Sequence, residues 1–534
     1  MRHLLFSTRW LPAALAGALA FAVFIGCCNK SSFAGINSDG AIYLLMADML
    51  SLYRSHHFGF GEFLFAHYPF PPLYPLSLAL VGGGSATPHL DYLFDALCLA
   101  IAVTATWAWV RRAGGGPPAA AAAAVTLSLT PIALFTVMGL FSEPLYLALS
   151  MSALALIASA KIERRHWYIA AGLLGLAAVT RTVGLFAVAA FLGNWWWQTG
   201  ARKAYPVVVL ATLPPLIWAA CKWRFGWSGG YVGSLLDDGF VSAVHGIIEQ
   251  LPINVRALAY HGVRCFDLLG SAYSAAVVSA LTALALIAWV ARLRTGAVDA
   301  LYLALYLFVM LLWPYPNDFA RFLLIVLPFF AAYACWGAAL LLEHCGQRRV
   351  APLAAAATAA VLICIVLPST LLIVLQIAHA DTAQDREFTR ISQWYRYDSQ
   401  SEARRMTEVA VRVLDAMAKL DEYVPPQACV TSIMPEVVML QARRKSRRPP
   451  GIRATLPTLR AVLAECPYVL MLRGTAFPAI DYPLFYPHDR VTSDLEILHA
   501  EPLDPTQPQG PPMMILARYR GSANRLNGAT QITH

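Results

Sequence analysis

Long apolar runs alternate with short polar segments over the first 378 residues of the chain. Runs of about 16 to 22 apolar residues can cross roughly 30 Å of hydrocarbon as helices that rise 1.5 Å per residue. They fall near residues 10–29, 89–110, 117–137, 143–160, 166–181, 183–198, 205–222, 270–291, 297–313, 321–342 and 351–378. The pattern predicts an α-helical polytopic membrane protein with about eleven transmembrane helices.

The pattern changes after about residue 379, where apolar runs give way to a charged amphipathic stretch and short, nearly continuous apolar segments. The stretch is typical of a helix and the short segments are typical of strands. Helices are expected at 385–420 and 457–466 and strands at 428–433, 468–472 and 513–519, with a frayed end over the final fifteen residues. The chain is therefore divided into a transmembrane domain, residues 1–378, and a small C-terminal α/β extracytoplasmic domain, residues 379–534.

Basic residues orient the bundle, because short loops rich in Lys and Arg stay on the cytoplasmic side. They occur at every second boundary: Arg2 and Arg9, Arg111 and Arg112, Lys161 with Arg164 and Arg165, Arg202 and Lys203, Arg292 and Arg294, and Arg348 and Arg349. With the N-terminus inside, the expected outer segments are residues 30–88, residues 223–269 and the tail after 379. The expected location is the bacterial inner membrane, with the C-terminal domain in the periplasm or outside the cell.

The first span follows a short basic segment, as a signal peptide does, but it lacks a convincing small-residue cleavage site. We interpret it as an anchor. Lipoprotein-type cleavage at Cys27 or Cys28 is the alternative, and it leaves the alternation of the later loops unchanged.

The composition supports a membrane protein. Of 534 residues, 58% are hydrophobic and 13% charged, and the mean hydropathy is +0.55. One water-soluble core cannot hide so much apolar surface. The net charge of +9 indicates contact with anionic membrane lipids rather than nucleic acid, because no nucleic-acid-binding pattern accompanies it.

The ten cysteines show no spacing typical of a zinc site. Most are expected to be small membrane-buried side chains. Cys429 and Cys466 lie in the outer tail, each at the edge of a predicted strand. An oxidising compartment permits a disulfide between them, but the sequence does not give their separation, so the pairing stays open.

Asp39 follows the first apolar run, in a stretch where it shares a helical face with Tyr43, four residues on. A carboxylate at the edge of a low-dielectric cavity can act as a general base that takes a proton from an acceptor hydroxyl or amine. The competing interpretation is an N-cap that satisfies backbone donors at a helix start.

Residues 41–66 are too polar to span a bilayer but carry aromatics and an apolar stripe, so they are expected to lie along the membrane interface. The prolines at 69–75 then force a turn back toward the membrane and cap a cavity above the first helix. A plain interfacial loop is the alternative. The residues expected to line the cavity are Tyr43, Arg54, His67, Tyr68 and Tyr74.

Glu143 starts the fourth span in Ser142-Glu143-Pro144. Pro144 suits a first helical turn and Ser142 suits its cap, so a structural role competes with a functional one. As a second acid at the level of Asp39, Glu143 can share proton acceptance or position an acceptor or a metal ion.

Two arginines are expected at the same outer level. Arg181 lies at the tip of a hairpin between two short apolar stretches, and Arg321 begins the tenth span. The planar fork of a guanidinium binds phosphate well, whereas snorkelling to lipid headgroups is the alternative for each. Lys222 and Arg224 are further candidates for a phosphate.

Taken in order, these motifs resemble the GT-C superfamily of polytopic glycosyltransferases, which use polyprenyl-phosphate sugars and include protein O-mannosyltransferases and lipid A aminoarabinose transferases. The resemblance rests on Asp39 with Tyr43, the Pro71-Pro72-Leu73-Tyr74-Pro75 re-entry, Ser142-Glu143-Pro144, Thr180-Arg181-Thr182-Val183-Gly184, Arg321-Phe322-Leu323-Leu324 with Pro328, and the α/β tail. It implies a catalytic base at Asp39, assisted by Glu143, with Arg181 and Arg321 near the donor phosphate.

One departure concerns the first outer loop. Relatives often carry two adjacent acids there, but Asp39 is followed by Gly40. A role of the second acid needs Glu143 or Asp48, so a divalent metal is possible but not assigned, and no other cofactor is implied.

The resemblance implies inverting transfer of a sugar from a polyprenyl-phosphate donor to a lipid, glycan or protein acceptor at the outer face. The competing class is a lipid or small-solute transporter, which predicts charges near the bilayer midplane and a repeated half. The sequence shows acids at the expected outer mouth and no repeat. A receptor with a ligand-binding tail leaves most of the helices unexplained.

Overall fold

The computed structural model describes residues 11–28, 38–53, 64, 70–158, 163–199, 205–227, 240–266, 272–313, 316–380, 400–450, 455–472, 492–502, 506–507, 509–510 and 512–521. The predictions for Arg54, His67 and Tyr68, and for the frayed C-terminal end, fall outside the described residues.

The described residues up to position 380 form helices joined by turns. They are α1 (Leu11–Cys28), α2 (Ser38–Leu50), α3 (Leu73–Leu80), α4 (Pro88–Arg112), α5 (Pro117–Leu129), α6 (Pro131–Met138), α7 (Glu143–Ile157), α8 (Arg164–Ala178), α9 (Gly184–Thr199), α10 (Tyr205–Arg224), α11 (Phe240–Arg264), α12 (Ala272–Arg294), α13 (Val298–Leu311), α14 (Phe319–His344) and α15 (Ala351–Ala378).

Each of the eleven predicted apolar runs coincides with one helix or, at 117–137, with the pair α5 and α6, which is bent by 45°. Pro131 explains the bend, because the residue before a proline is disfavoured in the helical region, and Thr130 is extended. Among the described residues, α4, α10, α12, α14 and α15 are long and apolar enough to cross a membrane, with the bent pair as a possible sixth span. The number of eleven crossings stays a prediction.

The core of the bundle is formed by α4 and α14, whose apolar windows are 67% and 72% buried, whereas those of α10 and α12 are 11% and 22% buried. Gly337 lets α14 approach α12 closely, because a Cβ at this position would overlap the Leu284 backbone. Small residues at such crossings are typical of helix packing in membranes. Lipid tails are as apolar as the helices, so helices associate through close van der Waals contact, which small residues allow.

The tail folds as helices α16 (Gln400–Ala418), α17 (Pro435–Ala442) and α18 (Leu456–Glu465) around strands β1 (Cys429–Ser432), β2 (Lys445–Arg447), β3 (Tyr468–Leu472), β4 (Leu495–Pro502) and β5 (Pro512–Tyr519). The sheet order is β2-β1-β3-β5-β4. Strand β1 is parallel to β2 and β3, and β5 is antiparallel to β3 and β4. The sequence pattern predicted β1, β3 and β5 but not β2 and β4. Both are edge strands, and their charged side chains hide the apolar pattern.

The structure forms the disulfide that the sequence left open. Cys429 begins β1, Cys466 directly precedes the turn into β3, and the Cα atoms of the bridged pair are 4.7 Å apart. The bond therefore joins the start of β1 to the segment between α18 and β3, the strand that is its parallel neighbour.

Helix α2 covers the first part of the stretch, residues 41–66, that the sequence predicts along the membrane interface, and that location stays a prediction. Its residues from Gly40 to Ala47 are buried, because α3 packs against the helix and α17 of the tail also packs against it. The chain after Phe70 is attached to the helical bundle by a hydrogen bond of 3.0 Å, which the Leu73 amide donates to the Val179 carbonyl. Helix α2 is thus held between α3 of the bundle and α17 of the tail.

Candidate active site

Four chain segments bring charged side chains together at one end of the bundle. Asp39 lies in the first turn of α2, Glu143 is the first residue of α7, Arg181 lies in the turn between α8 and α9, and Arg321 lies in the first turn of α14. Acids suit helix starts, because the amino-terminal end of a helix carries partial positive charge. An arginine there needs compensating anions.

Arg321 faces three carboxylates. Its Nη1 donates to Asp39 Oδ2 in a close ion pair, its Nη2 lies 3.6 Å from Asp318 Oδ2, and its Nε lies 3.9 Å from Glu143 Oε1. The side chain is 14% exposed, so it does not snorkel freely into a headgroup layer. The predicted base and the predicted phosphate ligand are in direct contact.

Arg181 is paired with the second predicted acid. Its Nη1 lies 2.6 Å from Glu143 Oε1 and also donates to Ser142 Oγ at 3.1 Å. The same Oγ accepts a hydrogen bond from the Tyr43 hydroxyl at 3.1 Å. Ser142 makes no side-chain cap to α7, so the capping role that the sequence offered for it is wrong. Its hydroxyl instead joins α2 to the Arg181 turn.

Aromatic rings enclose the two guanidinium groups. Arg321 lies over Phe141 at 4.8 Å and over Phe322 at 5.0 Å, and Arg181 lies 5.3 Å from the same Phe322 ring. These contacts supply cation–π attraction and exclude water, which strengthens the electrostatic interactions of the cluster.

The cluster retains unused hydrogen-bonding capacity. Within the described residues, neither Glu143 oxygen forms a hydrogen bond, although Oε1 takes part in the ion pair, and the Nε atoms of Arg181 and Arg321 have no hydrogen-bond partner. Unsatisfied buried polar atoms are costly. A polar ligand that reaches these atoms would therefore gain hydrogen bonds here.

A buried tyrosine pair lies behind the charged residues. The rings of Tyr43 and Tyr74 make an edge contact at 4.7 Å, and the Tyr74 hydroxyl donates to Asp95 Oδ2 at 2.8 Å. Burial, aided by the negative charge of Asp39, raises the pKa of Tyr43 well above its usual value. Tyr43 therefore stays a neutral hydrogen-bond donor at physiological pH.

The structure does not bring every predicted residue to this cluster. Lys222 and Arg224 lie in the last turn of α10, and the Arg224 guanidinium rests 6.0 Å from the ring of its exposed neighbour Phe225. The ion pairs described above include neither residue, and their role in phosphate binding stays a prediction.

Sequence reasoning missed Asp318, Phe141 and Asp95. Asp318 precedes Arg321 by three residues, a spacing at which opposite charges meet on one helical turn. Asp95 interrupts an apolar run, which is itself a signal because acids in such runs are expensive. Phe141 carried no signal, since one phenylalanine among many apolar residues is ordinary.

Among the described residues, no three His, Cys, Asp or Glu side chains form a group that could hold a metal ion. Asp39 and Glu143 each face a guanidinium, which differs from the carboxylate and carbonyl cages that hold Ca²⁺ or Mg²⁺. The acids are therefore interpreted below through their arginine partners.

No protein-family model matches the chain, and no curated protein is significantly similar to it in sequence. Its fold does resemble solved structures. ArnT from Cupriavidus metallidurans, bound to undecaprenyl phosphate, has a TM-score of 0.51 at 12% identity, over 95% of this chain and 98% of that one. The archaeal oligosaccharyltransferase AglB from Archaeoglobus fulgidus, in complex with an inhibitory peptide and a dolichol-phosphate, has a TM-score of 0.47 at 12% identity, over 86% of this chain and 69% of that one.

The likeness to ArnT extends over nearly the whole of both chains. It confirms the predicted fold class, an α-helical bundle with apolar helices and a small C-terminal α/β domain, which is the fold seen in ArnT.

Proposed function

We propose that the protein is an inverting glycosyltransferase that moves a sugar from a polyprenyl-phosphate donor to an acceptor at the outer face of the membrane. One observation carries the proposal: Arg181 and Arg321, whose side chains are each only 14% exposed, lie beside Asp39 and Glu143 at one end of the bundle. Such a site offers cations for a phosphate and a carboxylate for a proton within one water-poor enclosure.

The fold supports a lipid-linked donor. ArnT was crystallised with undecaprenyl phosphate, a lipid whose headgroup is a single phosphate. A protein that takes such a lipid needs a groove between helices for the chain and cations at its mouth for the phosphate.

The two guanidinium groups would hold the donor phosphate. Arginine binds phosphate through two parallel N–H groups, and the Nε atoms of Arg181 and Arg321 have no hydrogen-bond partner among the described residues. A phosphate approaching Arg321 competes with Asp39 for the same guanidinium. Donor binding would therefore loosen the Asp39–Arg321 pair and leave the carboxylate free to accept a proton.

Transfer would then proceed by displacement at the anomeric carbon. The acceptor oxygen or nitrogen attacks from the face opposite the phosphate, its proton passes to Asp39, and the bonding electrons of the departing C–O bond remain on the polyprenyl phosphate. The leaving group is a stabilised anion, so pairing with arginine can replace protonation by a general acid. Glu143 holds Arg181 in position for this pairing.

The test is transfer of label by purified protein from radiolabelled polyprenyl-phosphate sugars to lipid, glycan or protein acceptors. Replacing Asp39 with Asn should lower the transfer rate by about 10²-fold or more, because a positioned general base contributes at least that factor. The amount of folded protein should stay near that of the wild type.

Asp318→Asn is the matched control, because it removes a second carboxylate near Arg321 that is 37% exposed. Near-normal turnover by a well-folded Asp39→Asn variant would return Asp39 to a capping role. Movement of the lipid across the membrane without any transfer of sugar would instead favour a transporter.

A further inference from the structure

The tail contacts the helix that carries the proposed base. Helix α17 packs against α2, and Val437, Val438 and Met439 of α17 are fully buried. Asp39 lies at one end of α2 and Asp48 near the other, about 14 Å apart along the axis at 1.5 Å per residue. A contact at Asp48 can therefore fix the direction in which α2 presents Asp39.

A three-residue chain of hydrogen bonds makes that contact. Arg443 Nη1 donates to Ser85 Oγ at 3.0 Å, the Ser85 amide donates to Asp48 Oδ1 at 3.1 Å, and Ser85 Oγ donates closely to Asp48 Oδ2. Arg443 ends α17, Ser85 lies in the turn between α3 and α4, and Asp48 lies in α2. One serine thus joins the tail, the bundle and the proposed catalytic helix.

The backbone at Arg443 adopts a conformation that is unfavourable for a residue with a side chain. It caps α17 in the left-handed conformation, with φ of 53°, a position where glycine or asparagine is usual because a larger side chain is disfavoured there. Strained non-glycine residues persist where the surrounding structure requires them and are frequent at functional sites.

We propose that Arg443 is a positioning residue for sugar transfer. By holding Ser85, and Asp48 through it, Arg443 fixes the carboxyl end of α2 and keeps Asp39 aligned with Arg321. This inference rests on the proposed function, and it gives the tail a defined part in the reaction.

Arg443→Gly separates positioning from stability. Glycine adopts a φ of 53° without a Cβ penalty, so the melting temperature of the full-length protein should not fall, while the side-chain contact is lost. The kcat should fall about tenfold or more, because small misalignments at a reacting centre are costly. The KM for the donor should not rise, because the phosphate is held by arginines outside α2 and a misaligned Asp39 competes less for Arg321.

Ser85→Ala should lower kcat similarly. The kcat of the double variant, Arg443→Gly with Ser85→Ala, should be no lower than that of either single variant, because both changes break the same chain of hydrogen bonds. Lys445→Ala, an exposed change two residues further on, is the control and should leave kcat unchanged. An unaltered kcat in Arg443→Gly overturns the proposal, as does a loss of kcat that follows a matching loss of melting temperature.

A second measurement needs no donor. Hydrogen exchange of the α2 amides should be faster in Arg443→Gly than in wild type and unchanged in Lys445→Ala. Unchanged exchange in Arg443→Gly overturns the proposal. A wild-type protein that transfers no sugar would contradict the proposed function, while the exchange result would still decide whether Arg443 holds α2.

Discussion

At the scale of single residues, the site depends on mutual neutralisation of buried charges. Glu143 has no exposed side-chain surface and Arg181 has 14%, so each would be expensive alone. Pairing offsets the cost of desolvation, and removing one partner of such a buried pair typically costs about 3–5 kcal/mol. Activity of Arg181 or Glu143 variants is therefore interpretable only beside a measurement of stability.

Arg321 allows a cleaner test, because lysine keeps its charge. Arg321→Lys should raise the apparent KM for the donor several-fold, since an ammonium loses the two-pronged geometry that a guanidinium offers to phosphate. Dependence on acceptor concentration should stay nearly unchanged. Titration of labelled donor at saturating acceptor measures the donor KM, and titration of acceptor at saturating donor measures the acceptor dependence.

Lys222→Ala and Arg224→Ala are the matched controls, because they remove the other cations that the sequence offered as phosphate ligands. Arg321→Ala should also weaken donor binding. If donor affinity were unaltered in both Arg321→Lys and Arg321→Ala but weaker in Lys222→Ala or Arg224→Ala, the phosphate site would lie at the end of α10 instead.

At the scale of elements, helix starts do most of the positioning. The chain turns into α7 through Leu140, a buried leucine with φ of 53°. This left-handed residue is unfavourable for a side chain of its size. The turn sets the direction in which Phe141, Ser142 and Glu143 enter the cluster.

The disulfide predicts a stability effect in the tail. It closes a separation of 37 residues, and bridges that close loops of this length typically stabilise by about 2–4 kcal/mol, chiefly by restricting the unfolded chain. Cys429→Ser with Cys466→Ser should lower the urea midpoint of the tail in pulse proteolysis. Dithiothreitol should bring the wild-type midpoint to the same value.

Cys345→Ser, at an exposed free cysteine, is the control and should leave the midpoint unchanged. A midpoint that is equal with and without the disulfide would mean that the sheet needs no covalent link between β1 and β3.

At the scale of the whole molecule, the proposal requires the cluster and the tail to share the outer compartment. Leu52, just after α2, is 87% exposed, and Lys445 is an exposed residue of the tail. Cys345 lies at the far end of α14 from Arg321 and is exposed. The alternating basic loops place Leu52 and Lys445 outside and Cys345 inside.

An impermeant maleimide should therefore label Leu52→Cys and Lys445→Cys in intact spheroplasts, and label Cys345 only after the membrane is opened. Mass spectrometry of the labelled peptides distinguishes the sites. Labelling of only one of the two introduced cysteines, or of Cys345 in sealed spheroplasts, would contradict the topology.

The sequence by itself determined the fold class and located the apolar runs that form helices in the described part of the bundle. Apolar runs with basic boundaries follow directly from the solvent that each segment must meet, so they can be recognised without tertiary contacts. The sequence also marked Asp39, Glu143, Arg181 and Arg321, because a charge beside an apolar run is costly unless it is used.

Tertiary structure alone decided which charges pair. The sequence placed Asp39 and Arg321 in separate roles, and their contact joins positions 282 residues apart, a separation that no local pattern encodes. The same holds for Ser142, whose position at a helix start predicts a cap but whose hydroxyl accepts from Tyr43 and Arg181 instead. The burial of α2 also required the tail, because a helix is amphipathic or buried only in relation to the surfaces that pack against it.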